Sequence, residues 1–276
     1  MPELPEVEVI CRGLRLHLIG RTITLIRHSG LHLRVPVPVD ELNRHIANHT
    51  VTDVGRRAKY LIITMQGGAK MLIHLGMSGR LGFFPQQSPA ARHDHLRLLL
   101  DNGIELRFND ARRFGAVHVF SGTEATDLEP TFFAQSGPEP FSQAYSAPYL
   151  MEKARGRQSP VKVFLMTNEI VVGIGNIYAN EILFSARIAP TRRAATLSLA
   201  EWRRIVAKTH LILQQAIDCG GSTISDFANA DHESGYFQVN FRVYDRKGQP
   251  CLTCGRAIEK IQLGGRTCYF CPKCQK

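Results

Sequence analysis

No stretch of the chain approaches the ~18 consecutive apolar residues of a membrane-spanning helix. It also has no long basic amphipathic helix to lie on an anionic bilayer. The first residues lack the basic stretch and apolar block of a secretory signal, so the protein is expected in the cytoplasm, where thiols stay reduced. No Gly-Lys-Ser/Thr closes a nucleotide-phosphate loop, no strand leads into Gly-x-Gly-x-x-Gly, and no Gly-x-Ser-x-Gly marks a nucleophilic serine. Internal repeats and low-complexity tracts are absent too. Acidic residues are in short supply, 24 against 34 Lys plus Arg, for a net charge of +10. That surplus points to a polyanionic partner, nucleic acid first. Cysteine is scarce until the end: Cys11 and Cys219 stand alone, and five of the seven fall in the last 26 residues. In a reducing compartment such clustering indicates metal rather than disulfides.

What is present divides by periodicity. Val7, Ile10, Cys11, Leu14 and Leu18 recur at helical spacing, with Pro5 suited to the first helical position and Gly20 placed to stop the helix. From residue 22 to about 120 the period becomes two, over 22–26, 31–35, 60–63, 71–75 and 95–100. The last run turns through Asp101-Asn102-Gly103 into 104–108, a hairpin signal. A short helix over 40–49, with Asp40 as its cap, interrupts. An antiparallel sandwich is expected over 1–130, followed by a proline-rich linker over 131–150. A helical part follows over 151–240. Ser159-Pro160 opens one helix, Gly173-Ile174-Gly175-Asn176 precedes another, and Ser198-Leu199-Ala200-Glu201 forms a capping box for a long one. Residues 220–235 read as a loop, 236–244 alternate like a strand, and 241–276 carry the cysteines.

Three constellations carry chemistry. The first is Met1-Pro2-Glu3-Leu4-Pro5-Glu6-Val7-Glu8. Once Met1 is trimmed, Pro2 offers a secondary amine that titrates near ~8, as α-amino groups do, and such an amine forms an iminium with a carbonyl-like carbon. The competing reading is a capped helix start with acids facing the dipole. The second is Cys251-x2-Cys254 and, sixteen residues on, Cys271-x2-Cys274, the spacing of a structural four-thiolate zinc site. Cys268 is a fifth thiol outside that spacing. The third is a set of basic pairs, Arg56-Arg57 with Lys59, Arg112-Arg113, Arg192-Arg193, Arg203-Arg204 and Arg246-Lys247. Singly they read as solvated faces. Arg112-Arg113-Phe114 differs, because an aromatic beside cations can wedge into a base stack. Met77 in the turn Gly76-Met77-Ser78-Gly79 is a second candidate wedge. His93-Asp94-His95 lacks further ligands nearby and suits sheet or phosphate contacts better than a metal.

Together with Arg56-Arg57-Ala58-Lys59-Tyr60, His74-Leu75-Gly76-Met77-Ser78-Gly79, Asn109-Asp110-Ala111-Arg112-Arg113-Phe114-Gly115 and Gly175-Asn176-Ile177-Tyr178-Ala179, these features closely resemble the bacterial formamidopyrimidine-DNA glycosylases, nearly end to end. The resemblance implies an α+β multidomain protein: an N-terminal antiparallel β-sandwich with an N-terminal helix, a helix-two-turn-helix domain and a C-terminal four-cysteine zinc ribbon. It implies excision of oxidised purines from double-stranded DNA, followed by strand cleavage, by a monomer holding one structural zinc. Pro2 is then the nucleophile, Glu3 the general acid, and Glu6 a residue that orders the pocket. Lys59 and Arg266 serve the eliminations, though a guanidinium is a poor acid and a good phosphate clamp. His93, Arg112, Arg157 and Asn176 match backbone contacts, with Lys162 joining them. Met77, Arg112 and Phe114 fill the gap left by a flipped nucleotide, and Cys251, Cys254, Cys271 and Cys274 hold the metal. Ser225 stands where relatives often carry Lys or Arg, Ala189 where His is frequent, and Cys268 has no assigned role.

Two rivals stay open at this stage. One is an endonuclease VIII type enzyme for oxidised pyrimidines, against which Leu4 and Val7 speak. The other is a damage-binding protein without catalysis.

Overall fold

The computed structural model describes residues 2–221 and 241–276. The chain divides into two compact units, the first running to Ala134 and the second from Gln135 to Cys219 and on through the described residues after 240.

In the first unit, α1 (Leu4–Leu18) is nucleated by a reciprocal capping box. The Glu3 side chain accepts the Glu6 N–H, and the Glu6 carboxylate accepts the Glu3 N–H at 2.8 Å. Glu3 is therefore the cap, and Pro5 sits one place later than the first helical position. The heptad-like apolar side of α1 is fully buried at Leu4, Ile10 and Leu14. Eight strands follow: β1 (Thr22–His28), β2 (His49–Arg57), β3 (Tyr60–Met65), β4 (Lys70–His74), β5 (Gly79–Pro85), β6 (Asp94–Leu100), β7 (Ile104–Asp110) and β8 (Ala116–Phe120). Their order is β5-β7-β6-β1-β2-β3-β4-β8, and every pairing is antiparallel. The sheet is pinched between β1 and β2, which pair only through Thr22 with Thr50 and Ile23 with His49. The two four-stranded halves send Leu96, Leu98 and Phe108 from one side and Leu61, Ile63 and Ile73 from the other into a single core with α1. This is the sandwich.

Two expectations fail here. Residues 31–35 form no strand, and Pro36 and Pro38 just beyond them cannot extend a ladder; Asp40 is not a cap. Among the described residues, Arg34 alone in this stretch has an N–H that finds a main-chain acceptor, Gly115 O at 2.9 Å. The helix α2 (Val39–His45) then starts from Pro38, leaving Asp40 in its first turn.

The second unit packs α3 (Ala147–Ala154), α4 (Val161–Leu165), α5 (Asn176–Ala186) and α6 (Leu199–Asp218) around Trp202, Phe164 and Tyr178, all essentially inaccessible. Ser198 and Glu201 form the expected capping box on α6. The helix α5 is apolar on nearly every side and buried throughout, as a central helix must be. The tail forms one hairpin, β9 (Glu259–Leu263) and β10 (Arg266–Phe270), turned by Gly264 and Gly265 at φ 55° and 71°. The strand expected over 236–244 is absent from its described part, 241–244. There the Glu181 carboxylate takes the place of a neighbouring strand, accepting the N–H groups of Arg242, Val243 and Tyr244 at 2.8–3.0 Å. Residues 236–240 and the 222–235 part of the loop, with Ser225, lie outside the described residues.

Candidate active site and nucleic-acid interface

In the first unit the geometry is built outward from the start of α1. Pro2 is buried directly ahead of the cap, and Glu3 and Glu6 behind it are 2% and 1% exposed. Burial of two carboxylates is tolerable because each accepts a main-chain N–H at the positive end of a helix. One turn later Glu8 accepts from Arg56 Nε at 3.1 Å, and Arg56 donates onward to Ala58 O at 2.8 Å. Ala58 holds a left-handed φ of 56°, and Lys59 follows it in the two-residue turn between β2 and β3. The α1 helix is thereby tied to the turn that presents Lys59. The Arg56-Arg57 pair is not a solvated face after all, since Arg57 is also engaged, with Glu129 at 2.8 Å.

His74 lies across the sheet from Tyr60, with ring centroids 4.9 Å apart, and its Nδ1 accepts the Gly76 N–H at 3.0 Å. Burial, and then the charges of Lys59 and Arg34, lower its pKa from 6.5 to about 4. A histidine held neutral in the fold but free to protonate when unfolded stabilises above its unfolded pKa. That stability is lost as pH falls from 6.5 through about 4. The expected slope is at most ~1.4 kcal/mol per pH unit. In urea unfolding across that window, His74→Gln should show a flatter pH dependence than the parent chain. Equal slopes would remove His74 as the cause.

Met77 is half-buried in the turn after β4, and Arg112 and Phe114 are exposed in the turn after β7. The Arg112 guanidinium lies over the Phe114 ring, 4.7 Å from its centroid, so cation and aromatic form one block. His93 is half-exposed just ahead of β6. Asp94 and His95 serve the sheet, Asp94 by accepting Asn109 Nδ2 at 2.8 Å and His95 by donating Nε2–H to Asp110 O at 3.1 Å. Cys11 donates to Val54 O, and burial pushes its thiol up to about 11, which removes it as a nucleophile.

In the second unit, Gly173 at φ 83° and extended Gly175 deliver the chain to Asn176, the first residue of α5. Lys162 requires a correction. It is fully buried, and its Nζ donates to Asn176 Oδ1 at 2.7 Å and to Thr267 O at 2.8 Å. A side chain so enclosed does not touch a phosphate; it braces Asn176 against the hairpin. Asn180, one turn on, accepts the Tyr269 N–H at 2.9 Å and makes the same connection. Arg157 is exposed after α3, its Nε donating to Lys153 O at 2.9 Å, and Arg266 is exposed at the start of β10. Sequence reasoning missed Glu181, Asn180 and the Glu8–Arg56 link. Glu8 and Arg56 lie inside strings quoted above, and Asn180 and Glu181 directly follow one, which was their only signal.

The four expected thiols converge. All Sγ atoms of Cys251, Cys254, Cys271 and Cys274 lie within 4.8 Å of one another, with Cys251–Cys274 at 3.9 Å and Cys254–Cys271 at 3.5 Å. A tetrahedron with Zn–S bonds of ~2.3 Å has S···S edges of ~3.8 Å. The Thr253 and Cys274 N–H groups point at Cys251 and Cys271 sulfurs at 3.4 Å, which stabilises thiolates. The donor set fits zinc and, with four ligands closed, leaves no open position for catalysis. Cys268 is not in the cluster. It is buried on β10, and burial pushes its thiol up to about 11.

Comparison with known proteins agrees with this geometry in order and extent. Residues 1–117 match the formamidopyrimidine-DNA glycosylase N-terminal domain, 136–228 the formamidopyrimidine-DNA glycosylase H2TH domain, and 248–276 the zinc finger found in FPG and IleRS. Formamidopyrimidine-DNA glycosylases of Hahella chejuensis and Edwardsiella ictaluri are each 45% identical over 276 residues, covering all of both chains. Among solved structures, a Lactococcus lactis FPG variant in complex with Fapy-dG containing DNA superposes with a TM-score of 0.92 at 32% identity, covering both chains fully. The FPG protein of Thermus thermophilus gives 0.85 at 33% identity, covering 99% of this chain and 98% of that one. Matching of this kind along the whole length, over the same parts that the capped helix, the braced α5 and the thiolate cluster define, shows that the chain belongs to the formamidopyrimidine-DNA glycosylase family.

Proposed function

We propose that the chain is a bifunctional DNA glycosylase and abasic-site lyase of base excision repair, removing 8-oxoguanine and formamidopyrimidines from duplex DNA. The observation that carries this reading is the reciprocal Glu3–Glu6 cap, which buries two carboxylates immediately behind Pro2. The Lactococcus lactis relative, solved with Fapy-dG containing DNA and with an oxidized pyrimidine containing DNA, supports damaged DNA as the partner.

A damaged nucleotide inside the helix hides C1′, so it is flipped out at a cost of roughly a few kcal/mol. Met77, Arg112 and Phe114 fill the space it leaves. His93, Arg112, Arg157 and Asn176 hold the backbone, Asn176 with its Oδ1 taken by Lys162 and its side-chain N–H groups left to face a phosphate, no partner for them being found among the described residues. The Pro2 nitrogen lone pair bonds to C1′ while the C1′–base bond breaks, its electrons leaving with the base; the nitrogen then gives up its own proton, which the departing base takes, and so regains a lone pair. Glu3 gives its proton to the ring oxygen as the sugar opens, leaving a cationic iminium. Loss of a C2′ proton sends electrons into that sink, and the C3′–oxygen bond breaks toward phosphate. Loss of the C4′ proton then breaks the C5′–oxygen bond, and water returns the free amine. Lys59 assists proton transfer beside the sugar, and Arg266 clamps the departing phosphate. Zinc, bound by the four thiolates, supplies fold rather than chemistry. On this reading the enzyme acts as a monomer on chromosomal DNA in the cytoplasm. Among the described residues no helix is long and apolar enough to cross a membrane.

Borohydride reduces the iminium and fixes the protein to the sugar, so trimmed protein incubated with duplex carrying 8-oxoguanine opposite cytosine should yield a covalent adduct. Absence of adduct would leave a damage-binding protein without catalysis. Adduct on an oxidised pyrimidine alone would move the chain to the endonuclease VIII type.

A further inference from the structure

Asp110, the last residue of β7, is completely buried. Oδ1 accepts the Ser78 hydroxyl at 2.6 Å, and Oδ2 accepts the Gly115 N–H at 2.8 Å. The Arg112 N–H is shared between Ser78 Oγ at 3.2 Å and Asp110 Oδ1 at 3.3 Å. The main chain of Asp110 is used as well: its N–H donates to His93 O at 3.0 Å, and its carbonyl accepts the Arg113 N–H at 3.2 Å. Three turns that are far apart in sequence, after β4, ahead of β6 and after β7, therefore meet on one residue.

Glycine makes the meeting tight. A Cβ on Gly76 would lie 2.3 Å from the Phe114 carbonyl carbon, and one on Gly115 would lie 2.5 Å from Phe108 Cζ. The turn bearing Met77 and the turn bearing Phe114 thus touch backbone to backbone, with Ser78 hydrogen-bonded across the join. A buried carboxylate is costly to desolvate, and apolar side chains would pack two turns together without that cost. What a directional network adds is a fixed relative geometry.

We propose that Asp110, acting through Ser78, is a positioning residue that makes Met77, Arg112 and Phe114 a single rigid wedge, so that both turns enter the helix in one step; this rests on the gap-filling role given to those three above. Uncoupled turns would each have to find the stack separately, and the nucleotide would fall back between the two events.

The test uses the full chain and a lesion duplex carrying 2-aminopurine beside the lesion, whose fluorescence rises on unstacking. In Ser78→Ala the fluorescence rise and single-turnover excision should slow by on the order of 10- to 100-fold, the cost of a misplacement of ~1 Å. Elimination at an abasic sugar in a single strand, which has no stack to fill, should keep the parent rate. Ser78→Thr restores the hydroxyl and should recover the duplex rate. Should Ser78→Ala not fold, Asp110→Asn keeps the shape but must turn an NH2 toward Ser78 or Gly115, and it is read in the same way. Duplex and single-strand rates falling together, or a duplex rate unchanged in a folded variant, would overturn the proposal. Met77→Ala and Phe114→Ala on the same duplex separate the two layers. If they slow excision and Ser78→Ala does not, only the bridge falls; if they change nothing, the gap-filling role falls and the bridge with it.

Discussion

A preparation that retains Met1, or carries a tag ahead of Pro2, is expected to bind lesion-bearing duplex normally and to form no borohydride adduct. With Met1 in place the Pro2 nitrogen is a tertiary amide whose lone pair is delocalised into the peptide bond, so it is not nucleophilic. The loss should be of the order seen when a covalent nucleophile is removed, roughly 10⁴-fold or more in the single-turnover rate. Binding should survive because the exposed Arg112, Arg157 and Arg266 are untouched, and affinities must be compared at one salt concentration. The check is mass spectrometry of the N-terminus together with trapping and gel shift on the same sample. Efficient trapping by protein shown to keep Met1 would move the nucleophile elsewhere, and Lys59, in the turn that α1 reaches through Glu8 and Arg56, would be the next amine to replace.

The terminus also shows how much was legible beforehand. A capped helix start and a reactive amine looked like competing readings of residues 1–8, and the structure supports the first without displacing the second. The cap that Glu3 and Glu6 make is what holds two carboxylates behind Pro2. The alternation of 60–63 and 95–100 was readable because one face of each strand is buried, and the Cys-x2-Cys pairs because ligand spacing is a local property. Residues 31–35 misled because alternation alone does not bring a partner strand alongside, and Pro36 and Pro38 just beyond them cannot extend a ladder. Lys162 misled for a different reason. Nothing local says that a lysine ahead of an apolar helix will turn inward to meet Asn176 and, 105 residues away, Thr267. The same holds for Asp110, whose partners Ser78 and His93 are brought to it only by the order of the sheet. Side chains proposed to act directly on DNA sit within short, recognisable strings, whereas those proposed to position them are defined by long-range packing.

The second large effect is expected from the thiolate cluster. The β9–β10 hairpin pairs only five residues per strand and shares a small apolar cluster of Val243, Ile258 and Tyr269 with Phe184 of α5. A two-stranded hairpin is marginal in water by itself, so the metal must carry its fold. In small zinc-finger peptides that contribution is about 10–16 kcal/mol. Elemental analysis should therefore find one zinc per chain in the parent and none in Cys254→Ala, whose hairpin should unravel. The damage should not stop there, because Thr267 O is one of the acceptors of the buried Lys162 Nζ and the Tyr269 N–H is held by Asn180. Losing β10 leaves a buried ammonium short of a partner, a costly state that the chain relieves by releasing Lys162 and with it Asn176 at the start of α5. Duplex affinity should then fall by more than about 100-fold, further than the loss of Arg266 alone would explain, since a single phosphate contact is only one of several. The sandwich core is built separately around α1, so the β signal in circular dichroism should persist. If Cys254→Ala loses zinc and keeps its affinity, Asn176 does not depend on the hairpin, and the Lys162 brace is only a packing contact. If affinity falls with zinc but Lys162→Met leaves it intact, the hairpin itself, through Arg266, carries the binding. A loss in both variants is what the brace requires, because the zinc holds the hairpin, the hairpin holds Lys162 through Thr267, and Lys162 holds Asn176.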